Sequence, residues 1–246
     1  MRALALVTAM EPPKQALHQN VLHHLGKAIV SGAAAPGEVL RIDELATRHG
    51  VSRSVIREAV RVLASMGLLS TRRRVGVTVA DRASWNVFDP LVIRWRLDGD
   101  GREAQLASLG ELRRGVEPVA AALAATRVTP EQCGVLTGAV MEMSVHGRAG
   151  DLDAFLRADL LFHRTLLEAS GNEMIAALTG VVSEVLVGRT HHGLMPPHPN
   201  PAAIRLHADV AQAVQSGDPD AAERAMREII AEASRAMIDE NEPKAR

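Results

Sequence analysis

Between residues 151 and 169 the apolar residues Leu152, Phe155, Leu156, Phe162 and Leu166 recur at helical spacing, and Asp159 and His163 fall inside that stripe, four residues apart. Between residues 200 and 215 a second stripe, Ile204, Ala211 and Val214, includes His207. Each of these three polar side chains can give a lone pair to a divalent cation, and burying them without partners would cost several kcal/mol. Two arrangements fit the spacing. In one, Asp159 and His163 hydrogen-bond within a single helix and His207 is satisfied elsewhere. In the other, the three converge on one ion; Zn²⁺, Ni²⁺ or Mn²⁺ would suit such ligands.

A different chemistry is written near the N-terminus. The segment 41 to 69 reads as two short helices joined at Gly50, with Ser52 placed to cap the second, whose apolar positions Val55, Ala59, Val62 and Leu63 fall at helical spacing. Arg53, Arg57 and Arg61 lie four residues apart along one side of it. Gly67 can end that helix in a left-handed cap, and 68 to 71 with 75 to 79 can pair as a hairpin whose tip is Arg72, Arg73 and Arg74. Three successive arginines need anionic partners, and a DNA backbone or minor groove supplies them. The pattern predicts a winged helix-turn-helix.

Charge divides the chain the same way. Residues 1 to 80 hold 11 Lys and Arg against 5 Asp and Glu, and residues 81 to 246 hold 17 against 24, so a near-neutral total hides a basic head and an acidic remainder. A single cysteine, Cys133, excludes an internal disulfide framework and suits a reducing cytoplasm. No stretch reads as a membrane span, and residues 1 to 13 read as a flexible arm ahead of a DNA-binding domain at 14 to 80.

From 81 to 101 the pattern breaks into a linker around a short apolar helix, Leu91 to Leu97. Both tryptophans, Trp85 and Trp95, lie there, where they could dock the head on the next domain or simply pack a helix. Beyond it, Leu106, Leu109, Leu112, Val116, Val119 and Leu123 recur at three- and four-residue steps, and Thr129-Pro130-Glu131 opens a helix to about His146, with Gly147 to Gly150 as a break. Further helices are expected at 151–169, 172–190, 200–215 and 218–239, the last begun by Asp218-Pro219. The fold class expected is therefore mainly α: a winged helix-turn-helix followed by an antiparallel all-helical bundle at 102–240.

The N-terminal motifs resemble the GntR family of bacterial transcription factors. The resemblance rests on Pro36-Gly37, Asp43-Glu-Leu-Ala46, Val51-Ser52-Arg53, Val55 to Val60, and Met66 to Leu69 ahead of the basic wing. It implies that Ser52, Arg53, Ser54 and Arg57 meet an operator from the recognition helix, and that Arg74 with Gly76 does so from the wing, beside the tip arginines Arg72 and Arg73. One position departs from it: where a fatty-acid-responsive member carries an arginine before the turn, this chain has Asp43, which implies a different operator. Asp159-Leu-Leu-Phe-His163, Ser170-Gly171-Asn172, His207 and the residues to Met226 resemble the FCD ligand-binding domain of the FadR subfamily. Many FCD domains hold a divalent metal with one aspartate and three histidines. Here Ile229 stands at the last histidine's position, so only Asp159, His163 and His207 carry over.

The three-ligand pattern, with Trp85-Asn86 and the segment from Asp89 to Leu97, is similar to the galactonate-responsive branch of the family. That implies a sugar-acid effector, its carboxylate neutralised by Arg113 or, second, Arg189, with Asn172 and His191 as further candidates. His191, His192 and His198 flank or occupy a Gly/Pro-rich loop able to cover a pocket. The expectation is a cytoplasmic, homodimeric, effector-controlled DNA-binding regulator, a repressor acting on a palindromic operator. Two other functions fit parts of the chain: a metal-dependent enzyme using the Asp/His cluster, or a regulator whose bundle only dimerises.

Overall fold

The structure is a computed structural model and describes residues 14–72 and 76–241. The chain forms two compact units divided between Gly99 and Asp100. In the first, α1 (Lys14–Val30), α2 (Ile42–His49) and α3 (Arg53–Ser65) are followed by strands β2 (Leu69–Arg72) and β3 (Gly76–Val79), which pair antiparallel with Thr71 opposite Val77. A two-residue strand, β1 (Val39–Leu40), adds to the other edge of β3. This edge pairing has no sequence signature, because two residues are too few to show alternation.

Gly50 ends α2 in the left-handed conformation, as its position predicts. Ser52 holds the N-cap position of α3, but its hydroxyl pairs with Ser54 Oγ at 2.8 Å instead of accepting from the helix backbone. The buried stripe of α3 is Ile56, Ala59, Val60 and Leu63; Val55 and Val62 lie only at its margin. Gly67 follows with φ of +74°, and a Cβ there would stand 2.0 Å from the Ser84 carbonyl oxygen, so both conformation and contact require glycine.

The helix expected in the linker forms as α4 (Pro90–Leu97), with Asp89 Oδ1 accepting from Leu91 N–H at 2.9 Å and proline in its first turn. It packs on α1. Trp95 is buried in the winged-helix core and donates from Nε1 to His23 Nδ1 at 2.9 Å, and a Cβ on Gly26 would meet its ring at 2.4 Å.

The second unit is an antiparallel helical bundle of α5 (Arg102–Arg127), α6 (Pro130–Ala149), α7 (Leu152–Ala169), α8 (Glu173–Ala176), α9 (Thr179–His191), α10 (Pro201–Ser216) and α11 (Pro219–Asn241). Thr129 and Gln132 form a capping box, Asp151 caps α7 and Asn200 caps α10. Two differences from the sequence reading matter. The helix expected at 172–190 breaks at Ala177–Leu178, where the Thr179 hydroxyl takes the Ala176 carbonyl at 2.7 Å. Helix α6 runs through Gly147 and ends at Gly150 in the left-handed conformation, so the break expected at 147–150 falls at the last of those residues; Gly147 is buried, and a Cβ there would lie 3.0 Å from Ile204, so it permits close helix packing. The core of the bundle, with Leu136, Met143, Phe162, Leu166, Val210 and Met226 at its centre, encloses one side of the polar cluster described next.

Candidate functional site

Asp159 and His163 project from one face of α7 and His207 from α10, and all three are nearly completely buried. One ligand atom from each lies within 4.8 Å of the others. Asp159 Oδ1 stands 3.4 Å from His163 Nε2 and 3.3 Å from His207 Nε2, and the two imidazoles are perpendicular.

The outer nitrogens decide the tautomers. His207 Nδ1 is 2.7 Å from the Ala203 carbonyl oxygen, which can only accept, so Nδ1 carries the proton and the Nε2 lone pair faces Asp159. Neither His207 Nε2 nor Asp159 Oδ1 has a hydrogen-bond partner. Two buried acceptors facing each other at 3.3 Å are satisfied by a proton or by a cation between them. A divalent cation can take that place, so the donor set fits a metal.

A residue that sequence reading missed completes the cluster. Glu117, wholly buried on α5, places Oε2 2.6 Å from His163 Nδ1, a close ionic approach rather than a well-aligned hydrogen bond, and its other oxygen meets Arg113 Nε. Burial would raise the Glu117 pKa, but the Arg113 guanidinium and His163 outweigh it and bring it to about 2. Burial likewise works against ionised Asp159, and its two histidine neighbours hold that carboxyl well below the usual range. Burial would lower the His163 pKa, yet Glu117 and Asp159 together raise it.

The two arginines differ. Arg113 is neutralised by both oxygens of Glu117 within its own helix. Arg189 reaches Asp159 Oδ2 with one terminal nitrogen at 3.3 Å, while its Nε is buried without a partner. Both line a cavity of about 30 Å³ beside the cluster, together with Asn200 and Glu232, whose side chains hydrogen-bond at 3.2 Å. Ile229 lines it too, and its aliphatic side chain offers no lone pair. Asn172 and His191 do not: the Asn172 amide oxygen caps α8, and His191 is exposed at the end of α9. Met195, Pro196 and Pro199 of the Gly/Pro-rich loop do line the cavity.

In the first unit, Arg53, Arg57 and Arg61 lie exposed along α3. Arg61 pairs with Glu58 at 2.8 Å and Arg53 with Asp43 at 2.7 Å, whereas Arg57 has no ion-pair partner among the described residues. Gly76 opens β3 opposite Arg72 with φ of +103°. Arg73 and Arg74, and the side chain of Arg72, lie outside the described residues.

Residues 17–79 match the bacterial regulatory proteins of the gntR family, and residues 108–232 match the FCD domain. The galactonate operon transcriptional repressor of Escherichia coli (strain K12) is 32% identical over 215 residues, covering 87% of this chain and 93% of that protein. The chain belongs to the GntR family of bacterial regulatory proteins.

A second GntR relative, the HTH-type transcriptional repressor RspR of the same organism, is 28% identical over 92% of this chain and 90% of its own length. The solved structure of a GntR protein from Streptococcus agalactiae superposes with a TM-score of 0.50 at 26% identity, covering 89% of this chain and 99% of that one. These relatives are regulators, which sets aside the metal-dependent enzyme reading of the Asp/His cluster. The FCD match spans Asp159, His163, His207 and Ile229, and the gntR match spans Asp43, Arg53 and Arg57. Among the described residues no helix is long and apolar enough to cross a membrane.

Proposed function

We propose that this chain is a repressor whose operator affinity is controlled by a small carboxylate, a sugar acid, bound in the helical bundle beside a divalent metal. The observation that carries the reading is the pair of facing buried acceptors, Asp159 Oδ1 and His207 Nε2, next to a buried arginine with an unpartnered N–H. A bundle built only for dimerisation gains nothing from this arrangement, because apolar side chains would fill the same space without desolvating charge.

Asp159, His163 and His207 would hold the metal, with Zn²⁺, Ni²⁺ or Mn²⁺ suited to two imidazoles and a carboxylate. Bound there, such an ion supplies positive charge and open positions for carboxylate and hydroxyl oxygens. Arg189, rather than Arg113, pairs with the effector's carboxylate, because Glu117 already satisfies Arg113. A cavity of about 30 Å³ holds a water or two and not a six-carbon acid. Effector binding therefore displaces the 194–200 loop and breaks the bond from Asn200 to Glu232, which frees the start of α10, the helix that carries His207. The name of the galactonate operon repressor supports an aldonate as the effector class.

On DNA, residues 14–80 form the reading head: Ser52, Arg53, Ser54 and Arg57 from α3, and Arg72, Arg73, Arg74 and Gly76 from the wing. Residues 81–101, whose helix α4 packs on the head, lead to a bundle at 102–240 that binds effector and pairs two copies. A single head covers one half-site, so a twofold dimer on a palindromic operator doubles the contacts. Control requires that the effector bind the DNA-free and DNA-bound states with different affinity.

Fluorescence anisotropy of operator DNA, titrated with aldonates and other hydroxy acids in the presence of metal, tests the reading. An aldonate is expected to change DNA affinity in the wild type and to lose that effect in Arg189→Met, whose affinity without effector stays unchanged. DNA affinity indifferent to every acid at saturation overturns effector control.

A further inference from the structure

The ion pair between Asp43 and Arg53 joins the first turn of α2 to the first residue of α3, with Arg53 Nε 2.7 Å from Asp43 Oδ1. The side chains are 68% and 67% exposed, so the pair contributes little to stability. Its geometry says more. The ion pair tethers the guanidinium at Nε and leaves its two terminal nitrogens without a partner among the described residues. Those two nitrogens form the fork that matches O6 and N7 of guanine. Arg57, one turn further along, has no such tether and keeps its rotamer freedom.

An acid on this face also opposes DNA. A carboxylate beside the recognition arginines repels phosphate and lowers affinity for any duplex. Such a group is tolerated where it raises discrimination between sequences instead of affinity.

We propose that Asp43 is a positioning residue for sequence recognition: it holds Arg53 for a guanine edge and disfavours the alternative in which that arginine swings to a phosphate. The proposal rests on the reading of Arg53 as a base contact, and the test separates the two.

Full-length wild type, Arg53→Ala, Asp43→Ala and Asp43→Asn are each used to select binding sites from random duplex DNA. Anisotropy then compares the best site with all its single base-pair variants and with random duplex. Arg53→Ala is expected to lose preference at one G·C pair in each half-site. Asp43→Ala is expected to lose about tenfold discrimination at the same pair, while binding random duplex more tightly than wild type. Asp43→Asn, which keeps an acceptor at that place, should retain part of the discrimination. Full discrimination by Asp43→Ala at the pair that Arg53→Ala loses overturns the role of Asp43 alone, as does equal loss on all sequences. No loss at any base pair in Arg53→Ala removes the base contact itself and the proposal with it.

Discussion

Glu117 joins Arg113 to His163: one of its oxygens meets the guanidinium and the other lies 2.6 Å from the imidazole Nδ1, and all three groups are buried. Arg113 and Glu117 sit four residues apart on α5, so a single helical turn supplies a neutral pair that presses on a histidine of the Asp/His cluster from behind.

Glu117→Gln should therefore weaken the fold and the metal site together. Leaving the Arg113 charge buried without its partner costs about 3 to 5 kcal/mol, measurable by chemical denaturation at neutral pH. The Glu117 pKa lies below the ordinary 4.5, at about 2, so the stabilisation from its charge is complete above about pH 4.5 and is lost as pH falls towards 2. The variant's deficit should shrink over that window. Metal affinity should fall roughly 10- to 100-fold, as it does when a ligand histidine loses its outer partner. Unchanged metal affinity in a folded Glu117→Gln would separate the pair from the site.

Metal and protons should compete at His163. Its pKa is raised because Glu117 and Asp159 outweigh burial, so its protonated form stabilises the metal-free chain below pH 6.5, and that stabilisation disappears as pH rises through the folded value. Metal-free protein is expected to lose stability on moving from pH 6.5 to 8.5, while Zn²⁺ affinity, read by competition with a chromophoric chelator, rises over the same interval. Zn²⁺ affinity that is flat in pH would remove His163 from the ligand set.

Ile229→His offers the complementary gain. Ile229 lines the cavity, and an imidazole there could give a fourth ligand. Tighter Zn²⁺ retention is expected, against a packing loss of about 1 to 3 kcal/mol from a polar ring in the core. Isothermal titration with Zn²⁺ checks it. Weaker binding than wild type would show that Ile229 does not face the ion.

The sequence alone determined whatever depends on neighbours along the chain. Gly50 and the arginines of α3 are local signals, set by backbone conformation and helical period, and they led directly to a winged helix-turn-helix. The stripe that carries Asp159 and His163 was legible for the same reason, since α7 buries one continuous face. On α5 the same logic held only in part, since Leu106 and Leu109 of its stripe are buried. Its leucine and valine spacing pointed to a face that includes Val119, which is 44% exposed, whereas the buried side carries Arg113, Glu117 and the alanines 120, 121 and 124. A charged pair that neutralises itself can be buried like an apolar one, and periodicity of apolar residues does not register it. Asn172 and His191 shared motif or loop with the site but are held elsewhere by a helix cap and by exposure. The choice of Arg189 over Arg113 as the open cation, and the tether of Arg53 to Asp43, depend on side chains from different helices meeting at hydrogen-bond distance. Only tertiary packing brings such groups together, because their separation in space is not written in their separation along the chain.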